Sequence, residues 1–295
     1  MSFGIGEFYS LACALAWAIA VILFKKSGES LPPVALNLFK NLVGLALMAV
    51  TVLAFSGTVL PDIPADVLAL TLLSGFLGIG LGDTLYFRAL NAVGASRMGI
   101  AQTLYSPFVI MLSALFLNER LAGLQWLGVA LVLGGIILVN VTPGLTQLDP
   151  AALRRGVVNA AASVFVMALG VVIAKPILER YDFFWVVALR IVGGILGLLL
   201  FVALRRSGDS VWASFRTVRH WPHIIAGSIM GTYISMLLWL AGYKYTSASV
   251  AAVLNEMAAV FILILAAIFL HDRLKPLQWS GGLLAVIGVL RVVVA

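Results

Sequence analysis

Residues 118–128 read NERLAGLQWLG, and residues 271–281 read HDRLKPLQWSG. A chain that repeats itself 153 positions later, in residues as particular as Arg-Leu and Leu-Gln-Trp, is built from two copies of one unit. Around the repeated phrase the sequence is mostly hydrophobic. Of 295 residues, 62% are hydrophobic and 11% charged, and the mean hydropathy is +1.11. Soluble domains carry about 25% charged residues, so this chain lacks the polar surface that water demands. Lipid is the solvent it fits, where a helix crosses the hydrocarbon core with about 20 apolar residues.

Ten apolar runs can be traced, near 7–25, 33–55, 67–90, 95–117, 123–141, 156–175, 183–204, 222–243, 248–270 and 276–294. They are bounded by helix-breaking stretches such as Ser30-Leu31-Pro32-Pro33, Leu60-Pro61-Asp62, Thr142-Pro143-Gly144 and Trp221-Pro222. Inside lipid only helices and closed barrels satisfy the backbone. These runs are too long and continuous for alternating barrel strands. The expected fold is an all-α membrane protein of ten transmembrane helices.

The match between the copies extends well beyond the opening phrase. Gly128 meets Gly281 and Gly135 meets Gly288; further back, Ala95-Ser96 meets Ala248-Ser249 and Phe108 meets Phe261. Nearer the start a shift of 150 pairs Gly6 with Gly156, Lys25 with Lys175, Lys40 with Arg190 and Gly44 with Gly194. The longer 205–221 connection absorbs the change of shift. The repeats are assigned to 1–145 and 146–295, five spans each. Two copies separated by an odd number of crossings enter the membrane from opposite sides, so they are inverted. Inverted repeats are the architecture of secondary transporters, with the substrate site near the midplane.

The hairpins Asn118-Glu119-Arg120-Leu121 and His271-Asp272-Arg273-Leu274, each followed by a Leu-Gln-Trp-x-Gly helix, resemble the drug/metabolite transporter superfamily in its ten-helix EamA-type branch. The small-residue starts Gly94-Ala95-Ser96 and Ser247-Ala248-Ser249 fit the same pattern. The composition is most similar to the YddG-type exporters of aromatic amino acids. That resemblance implies an inner-membrane carrier moving amino acids or related metabolites by alternating access. Asp272 departs from the pattern in being shorter than Glu119.

Polar side chains inside spans are costly and mark candidate pathways. Lys40, Asn41, Asp83, Tyr86, Gln102, Tyr105, Arg190, Tyr233, Trp239, Asn255 and Glu256 all fall inside the runs. The repeat sets Gln102 against Asn255 and Tyr86 against Trp239. Asn255 is about 10 Å into its span at 1.5 Å per residue. The candidate substrate-binding set is Trp17, Tyr86, Met98, Gln102, Tyr105, Tyr233, Trp239, Asn255 and Glu256. Interior aromatics with polar tips suit substrates with sizeable apolar groups, and Met98 and Met236 are adaptable wall residues. Glu256 is read first as a structural partner of Lys40 or Arg190, with proton coupling or the anchoring of a substrate ammonium as alternatives. Gly78, Gly80, Gly82 and Pro107 are candidate hinge positions, with close helix packing as the simpler account of the glycines.

Other classes are disfavoured. His220, His223 and His271 lie at span ends or in loops, and neither a His-Glu-x-x-His motif nor a Walker-type phosphate loop occurs, so no enzyme and no ATPase is expected. No selectivity-filter-like loop suggests a channel. The lone Cys13 provides neither a disulfide nor a cysteine metal cage. No Lys or Arg precedes it, so the first segment reads as a retained helix. The +7 charge is scattered at span ends, which speaks for topology signals and against nucleic acid. No cofactor is expected. The expected partners are small-molecule substrates and the lipid bilayer, and one chain, holding both repeats, suffices as a monomer.

Twelve Lys and Arg lie at the odd-numbered connections and five at the even-numbered side. Those charges place both termini outside the cytoplasm, whereas the resemblance implies both inside. The leading expectation is an amino-acid and metabolite exporter. The alternative is a proton-coupled multidrug exporter using Glu256.

Overall fold

Each apolar run becomes a helix that starts where the chain can meet its orphan donors. Pro33 opens the second helix, where a missing N–H costs nothing. The Asp182 carboxylate accepts from Trp185 N at 2.9 Å to cap the seventh, and the Ser247 hydroxyl accepts from Val250 N at 3.3 Å to cap the ninth. The computed structural model describes residues 3–26, 31–57, 63–86, 88–89, 101–140, 150–205, 208–216, 218, 221–269 and 276–294. Every regular element among them is helical.

The helices are α1 (Ile5–Lys26), α2 (Pro33–Phe55), α3 (Ala65–Tyr86), α4 (Tyr105–Phe116), α5 (Gly123–Asn140) and α6 (Pro150–Arg180). They continue with α7 (Phe183–Leu204), α8 (Trp221–Tyr245), α9 (Ala248–Phe269) and α10 (Pro276–Val294). A short helix, Gly208–Phe215, lies in the long connection before α8. Eight of the ten are long and apolar enough to cross a membrane, while α4 and α5 are shorter apolar helices. The expected fourth run begins at 95, and 90–100 lie outside the described residues. The chain is a multi-pass membrane protein whose outward face is apolar: Leu53, Leu115 and Leu204 are 69%, 69% and 75% exposed.

α6 is longer than the expected 156–175. Pro150 starts it early, the following Ala, Leu and Arg residues favour helix, and the helix passes through Pro176 to Arg180. Proline is tolerated within a membrane helix because neighbours re-satisfy the freed backbone.

Contacts between connections fix the alternation of the ten helices. On one side Thr246 Oγ1 donates to Glu7 Oε1 at 2.7 Å, Ser56 Oγ to Asp182 Oδ1 at 2.8 Å and Ala248 N to Glu119 Oε1 at 3.0 Å. These residues are the chain start and the junctions after α2, α4, α6 and α8. At the opposite end, Arg88 and Arg205, after α3 and α7, share the ring of Phe201 at 4.7 and 5.8 Å.

The repeated phrase lands where the copies meet. α5 and α10 pack antiparallel through their glycines. A methyl at Gly128 would stand 2.8 Å from Gly288 O, and one at Gly288 would stand 2.7 Å from Gly128 O. Gly135 and Gly281 oppose each other in the same reciprocal way, at 2.5 and 2.6 Å. Side chains repeat the symmetry: Gln125 Nε2 donates to Val292 O and Gln278 Nε2 to Val139 O, both at 3.3 Å. Residue i touches j′ while j touches i′, the mark of a two-fold relation. Because the two helices run opposite ways, that axis lies in the membrane plane and the repeats are inverted. The expected division at 145/146 falls within 141–149, outside the described residues.

The rest of the opening phrase serves the same joint. Asn118 turns the chain at φ 55°, a conformation asparagine tolerates. Gln125 Oε1 accepts from Ala122 N at 2.8 Å, closing the start of α5. Trp126 and Trp279 point outward, 53% and 60% exposed.

A second symmetric feature lies in α3 and α8. Both widen into π-helix, at Phe76–Gly82 and at Ile229–Ile234, stretches that begin 153 positions apart. The expected hinge glycines 78, 80 and 82 occupy the first of them. Gly80 and Gly82 are packed tightly: a methyl on Gly80 would lie 3.2 Å from Gly194 O, and Gly82 abuts Met167, whereas a methyl on Gly78 would make ordinary contact.

Candidate substrate site

The two repeats each carry one interrupted helix, and the interruptions coincide under the repeat. The α4 segment turns at Thr103–Leu104 and α9 turns at Glu256, the position 153 beyond Thr103. At the first, Leu104 N donates to Ala101 O at 3.1 Å; at the second, Glu256 N donates to Val253 O at 3.2 Å and Ala259 N to Glu256 O at 3.1 Å. These are three-residue closures, tighter than the α-helical bond. Pro107 explains the first, since it has no N–H for the carbonyl of Thr103. α9 makes the same turn without proline.

One residue before each turn stands an amide, Gln102 or Asn255. The Nδ2 of Asn255 donates to Ala251 O at 2.8 Å. Gln102 Oε1 and Asn255 Oδ1 are both buried and without a hydrogen-bond partner among the described residues. An unmet buried acceptor costs about 1–3 kcal/mol, and here the cost recurs at equivalent places beside two broken helices. Discontinuous helices of inverted repeats are where transporters bind cargo.

Around Glu256 a connected set of polar and aromatic side chains closes the interior. Ser106 Oγ donates to Glu256 Oε1 at 2.9 Å. The hydroxyls of Tyr105 and Tyr243 are 2.9 Å apart, and Tyr243 meets Trp239 edge to face at 5.4 Å. The guanidinium of Arg190 lies over the Trp239 ring at 5.7 Å, and Tyr105 is within electrostatic reach of both Arg190 and Glu256. Tyr105, Trp239 and Glu256 thus lie in one neighbourhood.

Trp17, Tyr86 and Tyr233 make other contacts. Lys40 Nζ binds Asp83 Oδ2 at 3.0 Å and lies 5.9 Å from the Trp17 ring centroid. Tyr86 is in electrostatic reach of Asp83, and Tyr233 shares a 2.5 Å hydrogen bond with Thr51. Met98 lies outside the described residues. The expected pairing of Glu256 with Lys40 or Arg190 does not occur among the described ion pairs. Lys40 takes Asp83, which is in reach across α2 and α3, while Arg190 Nη1 donates to Ser74 Oγ and, at 2.9 Å, to Gly170 O.

Sequence reasoning missed Ser106, Tyr243 and Thr51. Tyr243 carried a usable signal, since it lies four residues beyond Trp239 on one helix face. The hydroxyls carried none, because serine and threonine inside a span bond their own helix equally well.

The acid of the repeated hairpin has a structural role at the bundle's end. Glu119 accepts from Ala248 N at 3.0 Å and Ser249 N at 3.2 Å, meeting the positive end of α9. Lys175 Nζ donates to Tyr243 O and Thr246 O, both at 2.8 Å, at the negative end of α8. The counterpart Asp272, and Ala95-Ser96, which the repeat aligns with Ala248-Ser249, lie outside the described residues.

Comparison with known proteins agrees with this architecture. The EamA-like transporter family matches twice, over residues 4–141 and 154–294. A probable amino-acid metabolite efflux pump of Escherichia coli is 26% identical over 294 residues, covering 95% of this chain and 92% of its own. The pseudopaline exporter CntI of Pseudomonas aeruginosa is 23% identical over 286 residues, covering 96% and 93%. A further Pseudomonas aeruginosa protein is 33% identical over 134 residues, so the match spans 45% of that relative's length. A solved crystal structure superposes with a TM-score of 0.81 over 98% of this chain and 96% of the other, at 21% identity, which shows a shared fold.

Proposed function

The chain belongs to the EamA-like transporter family, and on that premise we propose that it is a secondary transporter exporting amino acids and related metabolites, aromatic and other apolar side chains favoured. Export proceeds by alternating access across the inner membrane, with the cavity forming at the two helix interruptions. The observation that carries this reading is the pair of orphaned amide oxygens, Gln102 Oε1 and Asn255 Oδ1, at equivalent positions beside those interruptions. Two acceptors and the Glu256 carboxylate form a donor-seeking centre, which an ammonium group satisfies. Tyr105, Trp239 and Tyr243 supply aromatic walls for an apolar side chain. The names of the efflux-pump and exporter relatives support the direction. The π-helical stretch around Gly78, Gly80 and Gly82, together with Pro107, supplies the bending points. The carrier works as a monomer, without a cofactor.

Solute counterflow tests it. Purified protein in liposomes loaded with unlabelled phenylalanine should accumulate labelled phenylalanine, and apolar amino acids should block that uptake. Absence of counterflow, together with drug-dependent proton movement, would replace this reading by the second one. The second reading, a proton-coupled exporter, is favoured by one observation: Glu256 is buried and takes part in no ion pair among the described residues.

A further inference from the structure

The two repeats place equivalent cations in their second spans, Lys40 in α2 and Arg190 in α7. The first is neutralised within the protein, by Asp83 at 3.0 Å. Under the repeat, the position of Asp83 is taken in the second copy by Met236. Among the described ion pairs Arg190 has none, although its residue is 0% exposed. One built-in counter-charge is therefore missing, at a known place.

The guanidinium shows which edge is unused. Nη1 is committed to Ser74 Oγ and Gly170 O. Nε and Nη2 are buried and without any hydrogen-bond partner among the described residues. Those two nitrogens form the side-on fork of arginine, whose parallel N–H groups match the two oxygens of a carboxylate. Nη2 faces Gly78, whose missing side chain lets the guanidinium come close to the backbone of α3: a methyl added there would stand in contact with it, at 3.5 Å. Ser74 and Gly170 hold the plane of the group from one side and Trp239 covers its face. A fixed, buried, half-used fork is an anion receptor awaiting its anion.

We infer that Arg190 anchors the carboxylate of the cargo through Nε and Nη2. This inference rests on the proposed transport function and narrows it to substrates that carry a carboxylate beside their amine. Glu256, of the donor-seeking centre, and the acceptor-seeking fork of Arg190 both act electrostatically on Tyr105, which links to Arg190 through Tyr243 and Trp239. They divide the two charges of a zwitterion between them. The methionine at 236 is then a specificity element: an acid there would serve the arginine as Asp83 serves Lys40, and would displace the cargo.

The test uses competition in the phenylalanine counterflow assay, with phenylalanine, phenylalaninamide, phenethylamine and 3-phenylpropionate as competitors. Ligand-induced stabilisation of the detergent-solubilised protein is the second readout. Wild type should prefer the amino acid over the amide and the amine by about tenfold or more, the size of a lost charge-assisted pair. Arg190→Lys, with a point charge for a fork, should weaken acid binding and keep part of the preference. Arg190→Gln and Met236→Asp should both erase the preference, while Met236→Asn keeps it. Equal losses for all four competitors in Arg190→Lys would make the arginine a purely structural group and overturn the inference. Should Arg190→Gln fail to fold, wild-type indifference to the carboxylate overturns it equally, and Met236→Asp still decides. Stabilisation by 3-phenylpropionate without any amino-acid counterflow would keep the anchor while rejecting the amino-acid function.

Discussion

Gln102 and Asn255 have no partners for their buried oxygens, and their equivalence under the repeat makes the consequence measurable. Removing either amide should raise the counterflow KM for phenylalanine about threefold to tenfold, the worth of one hydrogen bond. Because the two sit at related positions, Gln102→Ala and Asn255→Ala should have similar effects. A large effect from one and none from the other would place the cargo off the axis. Glu256→Gln keeps the shape and the Ser106 contact but removes the charge. If the carboxylate meets a substrate ammonium, exchange persists with KM raised about tenfold. If instead only transport driven by a pH gradient is lost, with exchange unchanged, Glu256 is the coupling group.

At the scale of elements, the seam between α5 and α10 gives the sharpest stability expectation. A methyl at Gly135 would press on Gly281 O at 2.5 Å, whereas one at Gly134 would meet only Leu284 Cδ2 at 3.8 Å. Gly135→Ala should therefore lower the unfolding temperature in detergent, by about 1–3 kcal/mol in stability, and Gly134→Ala should leave it nearly unchanged. The helices and their inversion were legible because apolar length, proline punctuation and a repeated phrase are all local or self-comparing signals. The glycines at 128, 135, 281 and 288 were legible as a repeat, but not as partners of one another, since spacing alone does not choose between packing modes. The breaks at Thr103 and Glu256 were less readable. Pro107 announced one of them, and nothing in the composition of α9 announced the other. The pairing of Lys40 with Asp83 was open to the sequence but hidden by number: several cations and acids fell inside spans, and only the three-dimensional arrangement selects among them.

For the molecule as a whole, contacts between connections sort the chain into two ends, one holding Glu7, Glu119 and Asp182, the other Arg88 and Arg205. The positive-inside rule predicts that the arginine-bearing end faces the cytoplasm, against what the family resemblance implies. Single cysteines read this out in a Cys13→Ser background. Asp66→Cys, at an exposed position on the acidic end, should react with a membrane-impermeant thiol reagent on intact cells. Trp212→Cys, 65% exposed in the short helix before α8, should react only after the membrane is opened. The reverse pattern would put both termini in the cytoplasm, as the family resemblance implies.

The reciprocal glycine seam has a consequence for inheritance. Since its glycine and glutamine contacts are made twice by corresponding residues, the surface on one half is complementary to its own twin turned upside down. Such a half already holds, in about 140 residues, the instructions for finding a partner, provided it is inserted in both directions. Joining two halves in one chain then removes the need for balanced insertion and frees each copy to diverge. The exchange of Asp83 for Met236, against seam glycines and glutamines that both copies keep, is what that freedom looks like.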